Sequence, residues 1–535
     1  MTRLLPAETT LAPPRHDGRL GRRERGGGLL TAAVGAVLAV GVAVVEFTYR
    51  VTPFPSDQIN YFEAASTFPS HPTYAGLHQF LRHGLILPIR AAQEIFGYSQ
   101  AAFLVVPMLA GVALAVAVYL LGVLLLGSRT VGVAAAVLTV GNSVVFPDLT
   151  QPLPDLMATS LMAWAVVLAL AIRQRRRLVT GRPWRLALAL VGVGLLMGWS
   201  YLVREYIVFL WPLVPLLLVG RVRARTLVWV VVPLALIGIG EVLVNGAVFD
   251  QPFARFQASA AHGSQPSPVD DHIGHDRVWY LAQLPTILAG TPEGRWLLAA
   301  LVGCVTGAFF SRKLAFLLCW ALLFYVPLVA LGGFLDPSEP KLRIVKERYW
   351  LPLLPAITVS AVAGLWLLVR RIASWLPFLR RYATAVAAVA TIVAVAFPVT
   401  IAHQARSASD DPDNASYAAN GGTGLEQFRT WLAAHPGEVT RLWAEKRTYR
   451  LVRVFAHSPL RGTPLWDGEL VLWTPGQARH PGPGDYVVLY SARSTLCNEC
   501  KLNAWRLLGN PLQIPRDWQR VFLSSDRMVE VYRVR

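Results

Sequence analysis

The chain has 535 residues, 54% of them apolar and only 15% charged. Soluble domains carry roughly 25% charged residues, so a soluble fold is excluded and a polytopic membrane protein is implied by repeated apolar runs of bilayer length. The net charge of +18, from 50 Lys and Arg against 32 Asp and Glu, raises nucleic acid as a partner. The basic residues sit in short loops between apolar runs, where topology accounts for them, and no nucleic-acid partner is expected. Only five of the 50 are Lys, a bias that points to a high-GC bacterial genome and so to a bacterial plasma membrane.

Residues 1–27 are rich in Pro, Gly and Arg without periodicity and read as a disordered cytoplasmic tail. Gly28 to Phe47 is the first span, with no clear small-residue cleavage site after it. Ten more spans are expected at 101–126, 130–146, 156–172, 184–203, 207–220, 226–246, 295–310, 314–332, 350–369 and 383–402, about 11 in all. Placing the N-terminus inside and alternating puts Arg129, Arg173, Arg175–Arg177, Arg221, Arg223, Arg225, Arg312, Lys313, Arg370, Arg371, Arg380 and Arg381 on the cytoplasmic side. The opposite loops are read as nearly free of Arg and Lys, with one exception at 341–348, which satisfies the positive-inside rule at every cytoplasmic loop. An odd number of spans then leaves residues 403–535 outside.

Two outer loops are long. In 48–100, Leu81, Leu85, Ile89, Ala92 and Phe96 recur at helical spacing and read as an amphipathic helix on the membrane surface; Asp57 to Phe68 reads as a second. The other, 247–294, reads as a mobile loop. Residues 403–419 form a linker, and 420–535 a small extracytoplasmic α/β domain. There Leu425, Phe428 and Leu432 suit a helix, and 485–491, 519–523 and 528–534 suit strands. The Cys497-x-x-Cys500 pair is half a zinc site, or a local disulfide in an oxidising compartment.

Candidate chemistry gathers at the outer face. Asp57, just after the first span, suits a general base, a metal ligand or a helix N-cap. Asp148 and Asp155 flank the short turn before 156–172; again a cap is the plain alternative, but a carboxylate at the hydrocarbon boundary is costly unless used or paired. Arg204 and Glu205 are pinned where two spans meet, and Arg is the better residue for bidentate phosphate contact. Lys341, Arg343, Lys346 and Arg348 break the positive-inside pattern, which points to an anionic group at the outer leaflet or to a solvated cluster with Glu339 and Glu347. His272, His275 and Asp271 form a metal or proton-handling cluster, or a solvated polar loop.

Together these features resemble the GT-C superfamily of polyprenyl-phosphate-sugar-dependent glycosyltransferases, most of all the branch with the protein O-mannosyltransferases and the lipid A aminoarabinose transferases. The resemblance lies in Asp57-x3-Tyr61-x2-Ala64, Phe96-Gly97-Tyr98-Ser99, Pro154-Asp155, Gly194-x3-Gly198-x5-Arg204 and Arg348-Tyr349-x2-Pro352-x2-Pro355, in that order and on that membrane side. It covers roughly residues 28–370. It implies an enzyme that moves a sugar from a polyprenyl-phosphate donor to a glycan, lipid or protein acceptor on the outer side, with inversion. Tyr61, Arg204, Glu205, Lys341, Arg343, Lys346, Arg348 and Tyr349 would bind substrate, and Asp57, Asp155 and Asp148 would serve catalysis. Where such proteins often have two adjacent acidic residues, Asp57 is followed by Gln58, which favours a base over a metal ligand; a divalent metal stays open. The alternative is a transporter or lipid flippase, which would use charged residues in mid-span, and Glu241 is the acidic residue read there. A structural membrane partner whose tail domain does the work is a third reading.

Overall fold

The computed structural model describes residues 18–50, 53, 56–69, 78–258, 277–309, 311–330, 347–407, 422–456, 465–494 and 497–535. Among them, eight helices are long and apolar enough to cross a membrane: Gly28–Thr48, Gln100–Leu126, Pro154–Arg173, Pro183–Val203, Ala224–Phe249, Arg312–Ala330, Arg348–Trp375 and Arg380–Phe397. The other three expected spans are shorter. Arg129–Gly141 has 13 residues, Pro292–Ala308 has 17, and Glu205–Leu218 is a six-residue 3-10 turn followed by a six-residue helix. Pro212 and Pro215 interrupt that last stretch, and proline removes a backbone donor and clashes with the preceding turn. Eight helices among the described residues thus meet the length of a span, and the other three expected crossings are shorter helices at the expected places.

The remaining elements fall close to expectation, with three differences. The first helix starts at Gly18, ahead of the span itself, because Arg, Leu and Glu before Gly26 are good helix formers. The loop 247–294 holds a 13-residue helix, Arg277–Ala289, built on Val278, Leu281, Leu284 and Leu288 at helical spacing. The first-loop helices are His83–Phe96, preceded by the 3-10 turn His78–Leu81, and Asp57–Thr67.

Local chemistry sets the span ends. Ser99 caps Gln100–Leu126 by accepting from the Ala102 N–H, and Gly127 ends it in the left-handed region at φ +72°. Ser128 immediately caps the next helix at Val131, so the two helices form a tight hairpin. Gly122 and Gly132 face each other, and a Cβ on Gly122 would stand 2.6 Å from the Gly132 Cα; small residues let two backbones approach where no water drives helices together. Gln100–Leu126, Pro154–Arg173 and Arg348–Trp375 form the centre, with 56%, 72% and 72% of their apolar windows buried, against 11% for the first span.

The tail domain is a five-stranded mixed sheet in the order β2-β1-β3-β5-β4, with β1 Arg441–Glu445, β2 Glu469–Trp473, β3 Tyr486–Tyr490, β4 Trp518–Leu523 and β5 Val529–Val534. β1 pairs parallel with β2 and β3, and β5 antiparallel with β3 and β4. A parallel pair needs a crossover, and the helix Lys446–Phe455 supplies it between β1 and β2. Cys497 and Cys500 are joined by a disulfide, which removes them as zinc ligands.

The tail domain sits on the first loop. Phe455 stacks on Phe62 at 5.4 Å and packs against Phe103 at 5.9 Å. Arg450 donates to the Ser56 carbonyl at 3.3 Å and to the Asn60 side chain, and Arg453 pairs with Glu63. The Asp57–Thr67 helix is thus clamped between tail domain and membrane body, because Phe62 has aromatic partners on both sides; it does not lie open along a membrane surface.

Candidate active site

Asp57 opens its helix, and Ser56 holds the cap position without a side-chain cap bond. The carboxylate reaches across 291 residues of sequence to Arg348, whose Nη2 donates to Oδ2 at 3.0 Å, while Gln79 donates to Oδ1 at 3.4 Å. Capping is therefore not what occupies this side chain. It stays 30% exposed, which leaves it open to a substrate.

Asp155 contrasts with it. Leu153 holds the cap position of its helix and Pro154 the first turn, where the missing proline N–H costs nothing. Asp155 is fully buried. Its Oδ1 accepts from the Tyr206 hydroxyl and pairs with Arg204 Nε at 3.1 Å. A buried guanidinium without a counter-charge would cost several kcal/mol, of order 3–5 when one partner of such a pair is removed, so Asp155 is what lets Arg204 lie 6% exposed. Asp148 is buried in the 3-10 turn Phe146–Thr150 and lies within electrostatic reach of Arg348.

Tyr349 ties these together. The Arg204 guanidinium lies 5.1 Å from its ring centre and that of Arg348 5.6 Å, while Arg204 is also 4.5 Å over Tyr206. Two cations gathered on one aromatic ring are held by cation–π attraction and by the carboxylates behind them. The result is two arginines on one aromatic ring beside one carboxylate that stays 30% exposed.

A second network backs the first. Arg82 donates to the Tyr61 hydroxyl and pairs with Glu205 at 3.4 Å. Arg255 pairs with Glu205 at 3.6 Å and with Glu241, and donates to the Leu81 and Leu202 carbonyls at 2.8 and 3.0 Å. Burial pushes the Tyr61 phenol up to about 12, against the pull of Arg82. Glu205 and Tyr61 are thus engaged with Arg82, behind the arginine pair. Glu241, the acidic residue read inside a span, is paired as well, which takes away the motive for a charged transport path.

Lys341, Arg343, Lys346, His272, His275 and Asp271 lie outside the described residues. Among the described residues no group of three or more His, Cys, Asp or Glu could hold a metal ion. Asp57 and Asp155 each already face a guanidinium, a donor set that does not fit a cation.

Arg82, Gln79, Tyr206 and Arg255 are parts of the site that sequence reasoning missed. A signal for two of them existed: Arg82 and Arg255 also stand in loops assigned to the outer side, so the argument that singled out 341–348 applied to them equally.

No family model matches the chain, and none of the curated proteins does. Among solved structures it matches apo ArnT from Cupriavidus metallidurans over 95% of this chain and 98% of that one, at 13% identity and a TM-score of 0.50. The chain has the fold of ArnT. ArnT solved with undecaprenyl phosphate gives 14% identity and a TM-score of 0.46 over the same shares. The Archaeoglobus fulgidus oligosaccharyltransferase tethered to an acceptor peptide gives 13% and 0.47, over 80% of this chain and 63% of that one. The match to ArnT spans membrane body and tail domain together, so the two belong to one shared fold.

Proposed function

We propose that the chain is a membrane glycosyltransferase that moves a sugar from a polyprenyl-phosphate carrier to an acceptor at the extracytoplasmic face, with inversion. The observation that carries this reading is the partly exposed Asp57 beside the Arg204–Tyr349–Arg348 stack; the ArnT fold agrees with it. Arg348 and Arg204 hold the carrier phosphate and offset the charge that grows on it as it leaves. Asp57 takes the acceptor's proton. The acceptor oxygen bonds to the anomeric carbon from the side opposite the phosphate, and the carbon–phosphate-oxygen bond breaks. Asp155 and Tyr206 keep Arg204 aimed. Asp148 adds negative charge near Arg348, and Lys341, Arg343 and Lys346 attract the anionic carrier. The loop charges support a cytoplasmic N-terminus and an extracytoplasmic tail in a bacterial plasma membrane, and the tail disulfide fits an oxidising side.

The test is genetic. Cells deleted for the gene accumulate a lipid-linked sugar; the wild-type gene clears it, and an Asp57→Asn gene does not. A deletion strain with unchanged lipid-linked sugars would overturn the assignment. A cysteine placed in the tail reacts with an impermeant thiol reagent on intact cells; reaction only after lysis would reverse the topology.

A further inference from the structure

Asp57 is placed by a helix whose own first turn is weakly held. Ser56 makes no side-chain cap bond to that helix. The Asn60 N–H reaches the Ser56 carbonyl at 3.3 Å, long for a hydrogen bond of this kind, which centres on about 2.9–3.0 Å. A residue of the tail domain supplies further support. Arg450 donates to that same Ser56 carbonyl at 3.3 Å and to the Asn60 side chain, so it grips both ends of the turn that begins with Asp57. Further along, Arg453 pairs with Glu63. Arg450 and Arg453 thus meet Asn60 and Glu63 as two rungs, each three residues apart on its own helix. Asp57 also acts electrostatically on Arg450.

Arg450 is offered from firm support. Glu445, 1% exposed at the end of β1, caps the Lys446–Phe455 helix. It accepts from the Arg447 and Thr448 N–H groups at 2.8 and 2.5 Å and from the Thr448 hydroxyl at 2.6 Å. Asn503, on the helix Asn498–Leu508, donates to it at 2.8 Å, and Arg447 pairs with Glu499 of the same helix. The Cys497–Cys500 disulfide closes the start of that helix. A side chain can position another with precision when its own support is locked by packing and hydrogen bonds, and the helix that carries Arg450 meets that condition.

We propose that Arg450 is a positioning residue for Asp57, so that the tail domain completes the site in the membrane body. This rests on the reading of Asp57 as the base of glycosyl transfer. Two effects follow. Holding the turn keeps Asp57 where an acceptor hydroxyl can meet it, and a misplacement of about 1 Å can cost roughly 100-fold in rate. The guanidinium charge also favours the carboxylate over the acid. The neighbours of Asp57 have other duties or no charge. Arg348 holds it from the membrane body, and Gln79, in the turn His78–Leu81, is neutral. Tyr61 and Glu63 of its own helix are engaged by Arg82 and Arg453. Arg90, on His83–Phe96, pairs with Glu94 and holds the Ser66 carbonyl at the far end of the Asp57 helix.

The experiment uses the full chain. A water-soluble carbodiimide reacts with protonated carboxyls, and Asp57 is open to it at 30% exposure. The pH at which Asp57 is half-modified, read by mass spectrometry, reports its charge without turnover. Arg450→Gln raises that midpoint by roughly 0.5–1 pH unit, because the carboxylate has lost a cation; Arg450→Lys leaves it in place. In cells, Arg450→Gln slows clearance of the lipid-linked sugar about tenfold or more, and Arg450→Lys restores most of it. Asn60→Ala, which favours the helix itself and removes one acceptor from Arg450, slows clearance too. Undecaprenyl phosphate binds the purified Arg450 variants as it binds wild type. Arg453→Ala, a cut in the same interface, changes none of these readings. The proposal is overturned by an unmoved midpoint in Arg450→Gln, by an equal shift in Arg453→Ala, by normal clearance in Arg450→Gln or Asn60→Ala, or by lost undecaprenyl phosphate binding. If the deletion strain accumulates lipid-linked sugar while the midpoint stays, Arg450 fails and glycosyl transfer stands. If the midpoint moves but the deletion strain accumulates none, Arg450 still places Asp57 and glycosyl transfer itself fails.

Discussion

Asp57 and Asp155 stand at the same face, each in the first turn of a helix and each facing an arginine, yet their surroundings divide them. Asp57 keeps 30% of its side chain exposed and meets Arg348 at 3.0 Å. Asp155 is sealed, and its Oδ1 is shared by Arg204 and Tyr206. A carboxylate that solvent and substrate can reach is able to exchange a proton. One sealed in a pair is committed to holding its partner, because breaking the pair strands a charge in a medium that cannot solvate it. On the proposed reading, accessibility, more than residue type or helix position, separates the reactive group from the anchor.

The sharpest way to break this contrast is a crossed pair of variants. Asp57→Asn lowers transfer by roughly 10²–10⁴, the usual worth of a general base, with an unchanged melting temperature in detergent. Asp155→Asn lowers the melting temperature instead, through loss of about 3–5 kcal/mol from a buried pair. If both variants melt normally and lose transfer alike, the two carboxylates act as a dyad and the division is wrong. Next, Tyr206→Phe removes one donor to Asp155 and costs about 1–3 kcal/mol; it weakens carrier binding by loosening Arg204, seen as a higher KM for carrier with kcat little changed. A kcat loss with normal KM would move Tyr206 into the chemistry.

Smaller effects sharpen the picture. Tyr61→Phe takes one acceptor from Arg82 and costs about 1 kcal/mol. A phenol pushed up to about 12 stays protonated below that pH, so this variant leaves the alkaline limb of the transfer–pH profile where it was. A shifted limb would show that Tyr61 titrates in turnover. Arg453→Ala breaks a pair with Glu63 that is partly open to solvent and changes stability by at most about 1 kcal/mol.

The membrane body was legible because spans announce themselves by length and hydropathy and are punctuated by residues such as Ser99, Gly127 and Pro154. The outer charges stood out because topology gave no other reason for them. The lengths of three expected spans were not legible: 130–146, 207–220 and 295–310 form shorter helices, and in 207–220 Pro212 and Pro215 break the run. Partnerships were not legible either. Asp57 finds Arg348, Tyr61 finds Arg82 and Asp155 finds Tyr206 across long stretches of chain, and periodicity reports only on neighbours along one element. In the tail, the 425–432 helix and the last three strands were read, while β1 and β2 were missed because Arg441–Glu445 and Glu469–Trp473 are short and carry charge at their ends. The Lys446–Phe455 helix had a readable pattern, with Leu451, Val452 and Phe455 on one side and Arg447, Arg450 and Arg453 on another.

Arg348 serves two anions on the proposed reading, the Asp57 carboxylate that it holds now and the phosphate of the incoming carrier. One guanidinium cannot grip both equally, and coupling of this kind is reciprocal. Arrival of the donor draws Arg348 away and leaves Asp57 a stronger base; before that, Asp57 is quenched. The enzyme then has a compulsory order, carrier first and acceptor second, and a built-in reluctance to deprotonate anything, water included, while no sugar is in place.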